Sequence, residues 1–479
     1  MQPRKFLEPE QKALEINLDD SIYGTFAEIG AGQEVARFFF QAGAAAGTIA
    51  KTMSAYDKTY SDQIYGPEPS GRYVCESRLY RMLDHEYDLM QSRLQDIKPN
   101  TNFFVFADTV AAINYAKTIP GDGWLGIRFQ LDPNGATNDL VLHVKMLDND
   151  NRLQQQAIGI LGTNLIYACY RYKDNPDKML QSLMDSLEGR VLIDMVRLTG
   201  PNFVNIDNRL LSLILVKNQM TDVAMFAPSK QNIHASEFLY KKNVLVVRGS
   251  FRPLTLVNLD MITSSYQQFL EENKLKEEQA PLLLEITLDC LRSASGEIDA
   301  KDFLDRVEVL NALGYTVAVT NCEQHLKLIK YLLDYRVVKV GLVLGIIPFT
   351  EIVNKRFHQF KDKNDISLLS VFGKMFPKVF TLYIYPAKDG NGTAINDSDN
   401  MEIPEEAKFI FQYLKDTRQI INVEKYNPVI LDIISANVLK LIQGGNSSKW
   451  EEMVPSNTVA IIKSKHLFEL PNQKMEFEY

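Results

Sequence analysis

The chain has 479 residues, of which 46% are apolar, 10% aromatic and 23% charged, a balance that supports a large buried core and excludes a disordered or fibrous protein. Its 52 basic against 60 acidic residues leave a formal charge of −8, which argues against a nucleic-acid partner, because phosphate contacts need clustered positive charge. The length exceeds one ordinary core, so two domains or one enlarged α/β domain is expected, and the elements read below make the fold class α/β in two lobes, with mixed to mostly parallel sheets and crossover helices.

The opening stretch, residues 1–18, is charged and has no apolar centre, so it reads as the start of a cytoplasmic protein rather than a signal peptide. Residues 33–46 and 76–94 carry apolar positions at helical spacing, and residues 1–100 read as a mainly helical N-terminal region suited to a cap or an oligomer surface. Between them, residues 64–72 concentrate two prolines and two glycines in an ordered loop.

From Thr101 the pattern changes. Residues 102–107 form an apolar run of strand length, and 109–117 read as a helix. Residues 124–131 and 140–147 alternate like paired strands across an Asp132-Pro-Asn-Gly135 loop, and 153–170 return to helical spacing. Residues 101–235 thus form a first α/β lobe. In a second lobe, 236–479, strands at 243–247, 281–288, 315–320 and 337–344 alternate with amphipathic helices, which implies parallel strands.

Residues 264–280 read as a solvated charged helix end, and 388–400, rich in Gly, Asn and Asp after a strand at 379–385, read as a lid or an insertion. The most apolar stretch, 337–349, falls short of the roughly 20 residues that cross a bilayer, so no membrane partner is expected. Cys75, Cys169, Cys290 and Cys322 are widely separated and signal neither a zinc knuckle nor a disulfide framework.

Residues 241–262 carry the sharpest functional pattern: a strand, a tight Gly249-Ser250 turn, and a helix capped by Thr255 with Leu259, Ile262, Tyr266 and Phe269 on one stripe. Such a corner aims backbone N–H groups and a helix N-terminus at the carboxyl end of a strand, where phosphate binds readily. Lys241, Lys242, Arg248 and Arg252 make the segment locally basic.

Gly249-Ser-Phe-Arg-Pro-Leu-Thr-Leu-Val-Asn-Leu-Asp-Met-Ile262 resembles the GSFDPxTxGHLDxI signature of the adenylyl- and cytidylyltransferase superfamily that includes nicotinate-nucleotide and pantetheine-phosphate adenylyltransferases. Gly249, Ser250, Phe251, Pro253, Thr255, Leu259, Asp260 and Ile262 match, whereas Arg252, Val257 and Asn258 stand at the family's Asp, Gly and His positions. The whole chain, especially residues 28–40 and 104–112, is also similar to a set of bacterial proteins of comparable length that are called nicotinate-nucleotide adenylyltransferases.

The resemblance implies a nucleotide-binding protein acting on ATP, Mg²⁺ and a pyridine mononucleotide, either as a divergent adenylyltransferase or as a catalytically impaired relative. It assigns phosphate binding to the backbone of Gly249, Ser250 and Phe251 and to Thr255. Arg252 would neutralise charge, and Asn258 would replace the histidine that stabilises the departing pyrophosphate. Loss of one such donor costs on the order of 10²–10³ in rate. The family's later Ser-Thr-x-x-Arg element has no counterpart between Pro281 and Tyr479.

Other patterns carry weaker chemistry. Gly30-Ala-Gly-Gln-Glu-Val-Ala36 fits a G-x-G-x-x-A dinucleotide loop, with Asp57 at the distance of a ribose-binding acid. Gly43 and Gly47 fit close helix packing equally well. Asp108 and Asn321 each follow a strand, at the edge where α/β proteins place catalytic groups and also where helices are capped. Asp84-His-Glu-Tyr-Asp88 offers metal-ligand types but sits in a helix with Arg78, Arg81 and Arg93 nearby and reads as a salt-bridged solvated face, and the isolated histidines show no metal-ligand spacing. A non-enzymatic scaffold or homo-oligomer, joined through the aromatic-rich N-terminal helices, is the alternative reading.

Overall fold

In a computed structural model, the residues described are 4–69, 71–293, 295–322, 325–351, 353, 368–389, 394–445 and 448–470. They form two compact units, Met1–Asp222 and Val223–Tyr479. Both are α/β with crossover helices, the class expected from the alternation of apolar runs and amphipathic segments.

The first unit runs α1 (Pro9–Asn17), β1 (Ile22–Gly30), α2 (Val35–Ala42), β2 (Ile49–Ala55), α3 (Lys58–Tyr65), α4 (Glu76–Leu94), β3 (Asn102–Ala111), β4 (Asp122–Phe129), β5 (Asn138–Met146), α5 (Asn151–Arg171), α6 (Pro176–Leu183), β6 (Val191–Thr199) and α7 (Asn208–Lys217). Its six-stranded sheet has the order β2-β1-β3-β4-β5-β6. The first three strands are mutually parallel and the rest antiparallel.

Alternation divides the sheet's side chains. Phe26, Phe104 and Phe106 point toward α1, α2 and α5, with Phe26 and Phe104 edge-on at 5.6 Å. Ala27, Ile29, Val105 and Ala107 point toward Leu79, Leu83 and Tyr87 of α4.

The N-terminal hundred residues hold four α-helices, and the strands β1 and β2 among them join this sheet. Two expectations are corrected here. Residues 109–111 continue β3 instead of opening a helix, because that strand is paired on both sides as far as Val110. Asp108 therefore lies inside a strand and caps nothing. β6 was not anticipated.

The second unit runs β7 (Val223–Phe226), β8 (Asn232–Ile233), α8 (Ala235–Leu239), β9 (Asn243–Arg248), α9 (Leu256–Asn273), β10 (Leu282–Thr287), α10 (Ala300–Ala312), β11 (Thr316–Thr320), α11 (His325–Asp334), β12 (Lys339–Gly345), α12 (Leu368–Met375) and β13 (Phe380–Tyr385). After a hairpin of β14 (Ala387–Lys388) and β15 (Ile395–Asn396) come α13 (Lys408–Asp416), β16 (Ile420–Asn422), α14 (Ser435–Gln443) and α15 (Ser456–Lys465). Part of the polar segment 388–400 lies outside the described residues.

The eight-stranded sheet has the order β16-β13-β12-β9-β10-β11-β7-β8. Strands β9 to β13 and β16 are parallel, as their continuous Val, Ile and Leu runs imply for strands covered on both faces. Residues 223–233, placed in the first lobe by the sequence reading, form β7 and β8 and extend this sheet antiparallel at the β11 edge. Among the described residues no helix is long and apolar enough to cross a membrane.

Candidate functional site

In the second unit the chain starts at β9, moves out through β10 to β11, then returns to lay β12, β13 and β16 on the other side. The six parallel strands thus follow the 3-2-1-4-5-6 order of doubly wound sheets, which bind ligands beyond the carboxyl ends of the strands where that order reverses. The turn after β9 is at that place, and it is the corner singled out in the sequence.

The local structure explains most of the motif. Phe251 takes a positive φ of 46° and buries its ring, and a Cβ on Gly249 would meet that ring at 2.9 Å. Glycine is needed there because Phe251 folds back over it. Thr255 caps α9 by accepting from the Asn258 amide, and Asn258 Oδ1 accepts in return from the Thr255 amide at 3.1 Å. Asn258 Oδ1 also receives the Thr255 hydroxyl at 3.1 Å and the Ser435 hydroxyl at 3.4 Å. The side chain at the family's histidine position is therefore occupied in capping the helix.

The charges at the corner are compensated. Arg248 forms two 2.8 Å bonds to the buried carboxylate of Glu285. Arg252 Nε donates to Asp302 at 2.6 Å while its side chain stays 41% exposed. The buried Arg306 also binds Asp302, and it donates to the Ser250 carbonyl at 3.0 Å, bracing the turn from below. Lys241 and Lys242 precede β9, at the far end of a strand roughly 17–20 Å long.

The backbone donors divide unequally. Gly249 N–H is taken by the Glu285 carbonyl at 3.1 Å, which removes it from the expected phosphate set. The Ser250 and Phe251 amides have no acceptor among the described residues, and Ser250 is exposed. Beside Arg252 lies a cavity of about 20 Å³, room for about one water. Asp299, Asp302, Asp305 and Glu469 line it with Arg252 and Lys301, so its floor is predominantly acidic.

The first unit holds a second grouping. β1 has parallel neighbours on both sides, with α2 leading away to β2 on one face and α4 covering the other, so its carboxyl end is also a point of strand reversal. There Glu28 and Asp108, 3% and 0% exposed, are register partners on β1 and β3. Glu28 Oε1 accepts the Val35 amide at 2.8 Å, and Asp108 Oδ1 accepts the Ile29 amide at 3.1 Å. Burial, together with the charge on Glu34, pushes the Glu28 carboxyl up to about 8. Burial and the charge on Glu28 raise Asp108 as well.

This arrangement corrects the dinucleotide reading. Residues 30–36 do join a strand to a helix, and β2 does lead to Asp57, but Glu28 occupies the α2 N-terminus where a pyrophosphate would sit. A Cβ at Gly32 would strike Asp108 Oδ1 at 2.1 Å, so the second glycine makes room for a carboxyl group rather than a cofactor. Asp57 caps α3 through the Tyr60 amide. Glu28 had no motif to mark it, and only the pairing of β1 with β3 brings it beside Asp108. Asn321 follows β11, where its carbonyl accepts from Lys327. In the Asp84–Asp88 segment, Asp84 pairs with Arg128, while Glu86 is buried and binds Lys51 and Tyr65, so the ion pairs expected there form with other elements and the face is only partly solvated.

No family model matches the chain, and no curated protein matches it. The adenylyltransferase resemblance thus rests on residues 249–262 and the likenesses noted with it. Among solved structures, the chain is similar to the competence/damage inducible protein CihA from Agrobacterium tumefaciens, at 16% identity over 38% of this chain and 99% of that one, with a TM-score of 0.24. It is similar also to CinA superfamily proteins from Enterobacter cloacae, at 12% identity over 38% and 96%, and from Escherichia coli, at 13% over 37% and 95%, both with a TM-score of 0.25. Likeness at these scores carries no argument about activity.

Proposed function

We propose that this chain is a nucleotide-binding protein whose second unit takes a phosphate group at the β9–α9 corner without carrying out adenylyl transfer. The observation behind this reading is the pair of unaccepted amides, Ser250 and Phe251, at the strand-reversal point of a doubly wound sheet. Arg252 adds guanidinium N–H groups beyond the one bound to Asp302. Thr255 serves the ligand indirectly, by fixing the first turn of α9.

The corner holds the nucleotide without catalysing transfer, because Asn258 is uncharged and committed to the helix cap. Mg²⁺ would arrive with the nucleotide, since Asp302, the carboxylate nearest Arg252, is already engaged by two arginines. A pyridine mononucleotide would be a competing ligand of the same corner rather than an acceptor.

Calorimetric titration of the full chain with Mg–ATP tests this. Saturable heat is expected, weakened about tenfold in Arg252→Ala by loss of a charged hydrogen bond, with no pyrophosphate released when nicotinate mononucleotide is added. Absence of heat at millimolar nucleotide ends the reading.

A homo-oligomeric scaffold remains the second reading, favoured by Phe40, Tyr56, Tyr60 and Tyr115, which are exposed on the first unit. Light scattering on the eluting protein separates them: a large assembly indifferent to nucleotide supports the scaffold.

A further inference from the structure

The geometry at the carboxyl end of β1 points to a proton-operated latch: we propose that Glu28 and Asp108 hold one proton between them, and that its loss releases the loop of residues 30–34 and the first turn of α2. The two carboxyl groups grip that loop at both ends. Asp108 holds the Ile29 amide where β1 finishes, and Glu28 holds the Val35 amide where α2 begins. In between, Ala31 N–H reaches the Val110 carbonyl at 3.1 Å, and Gly32 lies against the Asp108 carboxyl group.

The backbone N–H groups of Val35 and Ala36 at the α2 N-terminus accommodate one charge, on Glu28, but not a second on Asp108 beside it. The further charge facing Glu28 is Glu34 at the α2 N-cap, itself paired with the exposed Arg37 at 3.3 Å. The flanking strands present Ser54 from β2, opposite Glu28, and Leu125 from β4, opposite Asp108. α5 meets the start of α2 with Gly159 and Gly162, which pack on Glu34, Phe38 and Val35. No cationic side chain among the described residues pairs with either carboxyl.

Asp108 Oδ2 is buried with no hydrogen-bond partner, a costly state for an ionised oxygen and a tolerable one for a neutral acid. Adjacent parallel strands hold the two groups together whatever their charge, so repulsion on ionisation is relieved where the backbone is least paired. That place is the glycine loop, where Gly30 already sits at φ 79°.

The test is amide hydrogen exchange of the full chain, reading the peptide that spans residues 29–36 against the β4 and β5 peptides at pH about 6 and about 9.5. Protection of the loop should fall roughly tenfold, one pH unit's worth of linkage, relative to the reference strands. The fall should be absent in Glu28→Gln and in Asp108→Asn. Infrared spectroscopy of the wild-type protein supplies a readout that needs no variant: a protonated carboxyl band should persist at pH 7 and bleach as the loop loosens. Protection that ignores pH, a fall that survives in both variants, or a wild type without the carboxyl band overturns the latch.

Discussion

Phe251 shows how a motif can survive for structural reasons. A non-glycine residue at φ 46° stores on the order of 1–3 kcal/mol, sustained here by burying a full aromatic ring over Gly249. Gly249→Ala should force that ring aside and lower stability by about 1–3 kcal/mol, measured as a shift in the urea midpoint at unchanged slope. Asn258→His restores the family's residue but breaks the reciprocal cap with Thr255. We expect it to cost roughly 0.5–2 kcal/mol and to produce no ATP–pyrophosphate exchange, while appreciable turnover would show that the site needed only its imidazole. The cap at Thr255 and the turn were legible in sequence because both depend on near neighbours. The commitments of Gly249 N–H to Glu285 and of Arg252 to Asp302 were not, because these partners are 36 and 50 residues away in the chain and are brought in by β10 and α10.

At the scale of elements, α10 is the support of the corner. Asp302 joins Arg252 on the exposed side to Arg306, which is 1% exposed and also bonds the Ser250 and Cys290 carbonyls. Asp302→Ala would strand a buried guanidinium, so a loss of about 3–5 kcal/mol is expected by denaturant unfolding. The doubly substituted Asp302→Ala, Arg306→Met protein should recover part of it, since both charges leave together. The parallel strands were readable from unbroken apolar runs, whose composition follows from burial on both faces. The continuation of β3 was not. Asp-Thr-Val-Ala-Ala reads locally as a cap and a helix, and only pairing with β1 and β4 makes it a strand.

For the molecule as a whole, protonation of the first unit sets a direction for stability. Glu28 is raised from 4.5 to about 8. His143 is buried, which disfavours its charge, yet Asp194 at 2.6 Å and Asp122 at 3.5 Å outweigh this and raise it from 6.5 to about 9. In both cases the folded unit holds protons that the unfolded chain has released, so stability is full below the unfolded value and is lost as pH climbs through the folded one. His143→Gln should therefore destabilise the protein more at pH about 6 than at pH about 10, read from thermal unfolding at each pH. A penalty that grows toward alkaline pH would contradict the ion pair. Length allowed two domains or one enlarged one, and the division after Asp222 was not legible, because β7 and β8 are short and give little periodicity.

Those short strands have a further consequence. The eight-stranded sheet begins in a three-residue strand, Ile420–Asn422, and ends in a two-residue one, Asn232–Ile233. Few unpaired amides and carbonyls remain along either margin to template another chain. A parallel core this apolar would otherwise invite cross-β stacking during slow refolding, and its blunt borders favour recovery of dispersed molecules over fibrils.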